Sequence, residues 1–439
     1  METVPMTARD VYERARRVIP AGVHSNSRIV EPYPLYLAEA HGAHLWDVEG
    51  TEYLDFTMGN GSIILGHGDP SVEAAVEAAV RSGVTTGHET LASVSVIETM
   101  AQMIPAFGMA RFANTGTEAV MHALQVARAI TGRDGVAKPE GGYHGWYDPV
   151  YVSCWGSWET IGDSKAPAAP PGSPGLAASA ATTLVVPFND VDATAALLRA
   201  NAARLAAVII EPVMIDIGYV PASPEYLAML RELTAKLGIL LIFDELLTGF
   251  RLAQGGARES YGIRPDLTTY GKAIGNGYPI AVLEGRPELM EQTDPAHGRI
   301  AYIGTFNGHQ IPVAAASATL EVLRSQPVLP VLNELFARLR DGLLRLADQR
   351  SIPLAVQGTG GHFHLNFTTG PVTNYRDALN SSAARYTTFR RVLAARKILV
   401  ADKPLHHSHL SWAHTPEDVD RLLEAAEEAF SHEDFRVHG

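Results

Sequence analysis

A single cysteine, Cys154, occurs in the 439 residues, so no intrachain disulfide framework holds the fold and a reducing compartment suits it. No apolar run approaches the ~20 residues that a membrane-spanning helix needs. The opening stretch, METVPMTARDVYERARRVIP, lacks the apolar core of a signal peptide and carries acids, unlike a transit peptide. Basic residues are in the minority, 35 against 48 acids, for a net charge of −13. That balance argues against nucleic acid and anionic membrane as partners, since both attract basic surfaces. No G-x-G-x-x-G follows an early strand, which argues against a plain dinucleotide binder, and no internal repeat is visible. The expectation is a soluble cytoplasmic enzyme or binding protein.

What is present is a 46% hydrophobic chain, too long for one simple core and expected to divide into two or three parts. Residues 8–19 have helical spacing and stop before Pro20-Ala21-Gly22. The alternation over residues 35–56 predicts two or three antiparallel strands turning at Gly42 and Gly50. From Pro70 onward, helical patterns (to Gly83, 91–103, 117–130) alternate with short apolar runs (110–113, 136–137, 184–186, 208–210). Such alternation predicts a mainly parallel sheet covered by helices. Residues 161–181, almost wholly Ala, Pro, Gly and Ser, cannot build a core and read as a mobile flap. Beyond about Gly308 the pattern changes to helices at 314–323, 329–346, 386–395 and 416–430, with strands at 355–357 and 362–367. The expected organisation is an N-terminal segment (1–65), a large α/β domain (66–312) and a C-terminal α+β domain (313–439).

The chemistry concentrates between Gly238 and Gly277. Residues 239–243 are an unbroken apolar run, read as a buried parallel strand that stops at Asp244-Glu245. A second strand, 267–270, ends at Gly271-Lys272. A third, 208–210, ends at Glu211. In open α/β sheets ligands collect beyond the carboxyl ends of the strands, so these charges converge on one crevice. An acid opposite a ring nitrogen and a lysine able to form an imine are what pyridoxal phosphate (PLP) chemistry requires. Lys272 is the one lysine flanked by Gly271 and the Gly275/Gly277 pair, which lets backbone approach a cofactor closely. Asn114-Thr115-Gly116-Thr117-Glu118, between a strand and a helix start, offers N–H groups and hydroxyls to a phosphate. Tyr143 is placed to stack on a ring and Leu246 to cover its other face. Taken singly, each has an ordinary reading: a turn lysine, an aspartate capping a helix, a capping threonine, a loop aromatic. No metal set is called for.

Together these segments resemble the class III, fold-type I PLP-dependent aminotransferases, in the branch that includes glutamate-1-semialdehyde 2,1-aminomutase. The likeness runs almost end to end, through ERARRVIPAGVHSNSR, LWDVEGTEYLDF, NTGTEAVMHALQVARAITGR, GGYHGWYD, FDELLTGFR, PDLTTYGKAIGNGYP, GTFNGHQ and SWAHTPEDVDRLL. It implies a large mainly parallel-sheet domain and a small α+β domain formed by the N- and C-terminal segments. It also implies that Lys272 is the Schiff-base lysine, Asp244 the pyridinium partner, Tyr143 the stacking aromatic, and Gly116 and Thr117 part of the phosphate cup. Thr305 matches a threonine that reaches the phosphate of the other subunit, which implies a homodimer. Ser25 and Arg28 match residues that bind the substrate carboxylate. Asp216 stands where the aminomutase has asparagine near the cofactor's phenolic oxygen. In Leu405-His406-His407-Ser408-His409 a histidine, assigned to His406, replaces a glutamate. Trp155 and Trp158 stand near where the aminomutase has small residues. These departures favour amino transfer between an α- or β-amino acid and a keto acid by a ping-pong route. The alternatives are the aminomutase's intramolecular transfer, or a lyase or racemase on the same scaffold.

Overall fold

The computed structural model describes residues 6–84 and 87–435; the outer ends of the expected N-terminal segment and C-terminal domain, residues 1–5 and 436–439, lie outside the described residues. The first helix is shorter than its spacing predicts. It runs over Ala8–Ala15, begun by a reciprocal Thr7/Asp10 cap, and Val18 is 81% exposed rather than packed. A 3₁₀ turn at Pro20–Gly22 then redirects the chain. As the alternation predicts, β1 (Leu37–His41), β2 (His44–Asp47) and β3 (Glu52–Asp55) pair antiparallel in sequence.

The central sheet is built from β4 (Met109–Ala113), β5 (Gly135–Pro139), β6 (Thr183–Val186) and β7 (Leu205–Ile210). After a small hairpin of β8 (Val213–Met214) and β9 (Val220–Pro221) it gains β10 (Leu240–Glu245), β11 (Leu267–Gly271) and β12 (Ala281–Gly285). The order across it is β4-β12-β11-β10-β7-β5-β6. Only β12 runs against its neighbours, wedged antiparallel between β11 and β4. Every residue of β7 and β10 is buried, because helices cover both faces, and this is why both read as unbroken apolar runs. Burying a side chain such as Ile242 or Phe243 stabilises by roughly 1.5–3 kcal/mol. The helices Gly116–Thr131 and Pro224–Leu237 both open on a hydroxyl cap, Thr115 or Ser223, and both end at a left-handed glycine, Gly132 or Gly238.

Residues 161–181 form no strand or α-helix before the 3₁₀ turn Ala178–Thr182, but Ile161, expected outside the core, is fully buried in it. Their near end is tied down as well. Arg376 pairs with Glu140 at 2.9 Å and donates to the carbonyls of Ile161, Gly162 and Asp163. The last third of the chain adds β13 (Ala355–Thr359), β14 (His362–Asn366), β15 (Ile398–Leu399) and β16 (Ser408–His409). β15 pairs parallel with β3, so the C-terminal part completes the N-terminal sheet. A shared apolar cluster including Leu54, Phe56, Ile274, Leu320, Phe363 and Leu422 welds these parts together.

Candidate active site

The carboxyl ends of β4, β5, β7, β10 and β11 open on one side of the central sheet, and the chemistry-bearing residues sit on them. β10 and β11 lie side by side with Asp244 opposite Thr269. Asp244 is only 3% exposed. Its Oδ1 accepts from the Thr269 hydroxyl at 3.1 Å and from the Leu246 N–H at 3.2 Å. Its Oδ2 lies 2.8 Å from His144 Nδ1. Burial pushes the His144 imidazole below its ordinary pKa, although Asp244 pulls the other way. A neutral ring donating from Nδ1 satisfies that geometry and leaves the buried Nε2 without a partner.

Lys272 begins a tight 3₁₀ turn directly after β11, with φ at 46°. The turn is pinned by Asn276, whose side chain accepts from the N–H groups of Ile64 and Leu65 and donates to Gly66 O. Among the described residues the Lys272 amine makes no hydrogen bond or ion pair. Glycine is required beside it for space: a Cβ at Gly271 would fall 2.7 Å from Leu246 Cδ2 and 3.1 Å from Ile280 O. A Cβ at Gly116 would fall 2.4 Å from Leu246 Cδ1. Leu246 therefore lies between the lysine turn and the start of the helix after β4.

At that helix start, Thr115 Oγ1 accepts from Glu118 N–H at 3.2 Å, while the N–H groups of Gly116 and Thr117 carry no hydrogen bond among the described residues. The Thr117 hydroxyl accepts from Trp146 N–H at 3.1 Å, which ties the helix to the loop carrying Tyr143. Unused amides at a helix N-terminus are suited to an anion. A lysine amine, a fixed carboxylate and unused amides at a helix start are groups suited to a phosphorylated pyridine aldehyde.

Glu211 braces the same loop, accepting from the N–H groups of Tyr143 at 3.2 Å and Ile215 at 3.3 Å. Burial, with the charges of Asp216 and Asp244, pushes its carboxyl well above the usual range. The Tyr143 ring stacks on Trp155 with centroids 5.2 Å apart. Burial and those two acids push the Tyr143 hydroxyl up to about 12. Asp216 pairs with His407 Nε2 at 2.9 Å. Burial alone would raise the Asp216 carboxyl, but His407, Lys272 and His406 outweigh it and hold the group far below its ordinary range.

The contact with Asp216 is made by His407, the residue after His406, which the sequence assigns to the substrate. His406 turns instead to Asp402 at 3.3 Å, with its ring tilted against Trp155. Ser25 and Arg28 lie exposed around a 3₁₀ turn, and no hydrogen bond or ion pair of their side chains joins them to the crevice. Thr305 is exposed in a groove of about 810 Å³ on the outer side of the helix Gly116–Thr131, lined also by Asn114 and Glu118 but not by Lys272. His144, Thr269, His362, His407 and His409 escaped sequence reading as site residues. His407 and His409 carry a visible signal, two histidines at i, i+2 on either side of Ser408. The His362 contribution depends on β14 lying beside β16, which no local pattern announces.

The profile of the family described as aminotransferase class-III matches residues 25–385. The chain is 40% identical over 422 residues to a glutamate-1-semialdehyde 2,1-aminomutase of Methanothrix thermoacetophila, covering 95% of each chain. It superposes on an omega-transaminase from Sphaerobacter thermophilus with a TM-score of 0.91 at 35% identity, covering 96% of this chain and 97% of that one. It superposes on a transaminase with PLP bound with a TM-score of 0.87 at 30% identity, covering 97% of each. Among the described residues no helix is long and apolar enough to cross a membrane.

Proposed function

The chain belongs to the class-III aminotransferases and has their fold-type I architecture, and from that premise we propose that it moves an amino group between a carboxylate-bearing amino acid and a keto acid by a ping-pong route. The observation that carries this reading is the unpartnered Lys272 on a pinned turn at the end of β11, one strand over from the buried Asp244.

Pyridoxal phosphate, the family's cofactor, supplies a carbonyl carbon that takes up amines and a ring that accepts electron density. The amides of Gly116 and Thr117 and the hydroxyl of Thr115 hold its phosphate at the helix N-terminus. Asp244, oriented by His144 and Thr269, holds a proton on the ring nitrogen. Tyr143 and Leu246 cover the two ring faces, and Glu211 keeps the Tyr143 loop in place. Asp216 would serve the cofactor's phenolic oxygen. The Lys272 amine would take the proton from the substrate's amino-bearing carbon and deliver it to the cofactor's carbonyl carbon, serving as base and then acid. Ser25, Arg28 and a rim histidine, His406, bind and orient the substrate carboxylate, an arginine fork being suited to that group. The outward placement of Thr305 suits a residue that serves a second copy, so the working unit is a homodimer, and we place it in the cytoplasm.

The named sequence relatives favour a second reading, the intramolecular transfer of glutamate-1-semialdehyde 2,1-aminomutase. One experiment separates the two. Purified protein is loaded with PLP and offered amino acids or glutamate 1-semialdehyde, with and without a keto acid. Bleaching of the visible band by amino acids, with turnover only when a keto acid is added, is expected. Turnover of the semialdehyde alone, with no acceptor needed, would overturn the first reading in favour of the second.

A further inference from the structure

Behind Asp216 runs an unbroken line of three buried imidazoles. His407 Nε2 is 2.9 Å from Asp216 Oδ1, and His407 Nδ1 is 2.5 Å from His409 Nε2. His409 Nδ1 is 2.8 Å from His362 Nδ1, and His362 Nε2 is 2.8 Å from the carbonyl of Leu247. His362 and His409 are fully buried and His407 is 8% exposed. The 2.8 Å gap is that of a hydrogen bond and the 2.5 Å gap is shorter than an ordinary one; ligands around one tetrahedral zinc ion would stand roughly 3.3 Å apart.

The carbonyl end sets the direction of the whole line, because a carbonyl oxygen only accepts. His362 therefore donates from Nε2 and accepts at Nδ1. His409 then donates from Nδ1 and accepts at Nε2, and His407 donates from Nδ1. A neutral His407 would meet the Asp216 carboxylate lone pair to lone pair, with both groups buried. Four hydrogen bonds need four protons, and three neutral rings carry three, so one more proton belongs to the line.

Surrounding charges decide where that proton rests. Arg251 is fully buried, donates among the described residues only to the carbonyls of Gly61, Ile63 and Gly360, and repels positive charge from His362 and His409. His364 and Tyr219 pack nearby as neutral groups. At the far end burial, Lys272 and His406 push the His407 imidazole down, while Asp216, in direct contact, draws the proton to it and Asp244 adds negative charge on that side. We propose that His362, His409 and His407 are positioning residues, a polarised hydrogen-bond chain that rests one surplus proton on His407. The group facing Lys272 from this side is then a carboxylate–imidazolium pair instead of a lone carboxylate. Asp216 keeps its charge and its place, and its pull on protons at the site is blunted by the imidazolium behind it. The role assigned to the pair rests on Lys272 being the reacting amine; the proton count does not.

Neutron diffraction from perdeuterated full-length protein at pH 7 tests the chain directly. Deuterons are expected on both nitrogens of His407, on Nδ1 of His409 and on Nε2 of His362, with Asp216 bare. A deuteron on Asp216, a His407 with only one, a His362 carrying its deuteron on Nδ1, or a metal ion among the rings would each overturn the proposal. A second measurement follows the His407 imidazole by ¹⁵N NMR in His409→Phe and His409→Gln. The glutamine can still accept from His407 Nδ1 and the phenylalanine cannot. The second proton should leave His407 about one pH unit lower or more in His409→Phe, and near the parent value in His409→Gln. Equal behaviour of the two variants would overturn the chain. Neither readout involves turnover, so failure here leaves the amino-transfer reading untouched, and the reverse also holds.

Discussion

Asp244 and His144 stand 100 positions apart in the chain and meet through a 2.8 Å contact between buried side chains. The acid supplies charge, whereas the ring only orients one of its oxygens. Asp244→Asn should therefore lower kcat on the order of a hundred- to a thousandfold. His144→Phe, which keeps the charge but frees Oδ2, should cost about ten- to a hundredfold. Equal losses in steady-state assays would refute this ranking.

Lys272→Ala should abolish both the visible band of PLP-loaded protein and turnover. Lys236→Ala serves as a control, because Lys236 is exposed on a helix and paired with Glu232. An unchanged spectrum in Lys272→Ala would end the proposed role of that amine.

Gly116→Ala would put a methyl 2.4 Å from Leu246 Cδ1, so the leucine tip must move. The expected loss is about 1–2 kcal/mol of stability, with weaker retention of PLP. Since the clash is with one side chain, Leu246→Ala in the same protein should restore part of it. Chemical denaturation of the two single variants and the double variant measures that coupling; simple additivity would show that the two residues do not touch.

Acid should destabilise the protein well before its ordinary carboxylates titrate. Burial holds His364 at about 3 and His414 at about 4, and pushes His362 and His409 well below their usual value. Each binds a proton in the unfolded chain below about pH 6.5 but not in the folded one, so stability is full above that pH and falls as pH drops. Glu245, raised to about 7 by burial, and Glu211 oppose this, since they stay protonated only when folded. Glu140 is raised as well, but the histidines lowered by burial, His144 and His122 among them, outnumber the raised carboxyls. The melting temperature should fall from pH 7 toward pH 5, and a flat or rising profile would contradict the buried neutral rings.

Trp155, 45% exposed and stacked on Tyr143, stands at the crevice mouth beside His406. Trp155→Ala should reduce kcat/KM for aromatic donors about five- to tenfold, in keeping with a stacking contact of roughly 1 kcal/mol. Small aliphatic donors should change little. A uniform loss across donors would assign the tryptophan to loop structure instead.

Much of this protein was legible in one dimension because its chemistry sits at strand ends. Buried parallel strands write themselves as apolar runs, so β7 and β10 and the acids that close them stand out, as does the glycine-flanked lysine after β11. Helix caps such as Thr115 and left-handed stops such as Gly132 and Gly238 are equally local. β12 escaped notice because its five residues follow a glycine-rich turn with no alternation to mark them, and its place between β11 and β4 depends on the rest of the sheet.

The sequence by itself determined which side chains carry charge at the strand ends, and with them the family and the kind of cofactor. Only the tertiary structure decided which histidine answers Asp216. His406 turns to Asp402 while His407 meets Asp216, and pairing of β16 with β14 brings His362 to His409 from 47 positions away. Local sequence encodes periodicity and end signals; it does not encode contacts closed by a fold, and the direction of a buried proton line depends on those contacts alone.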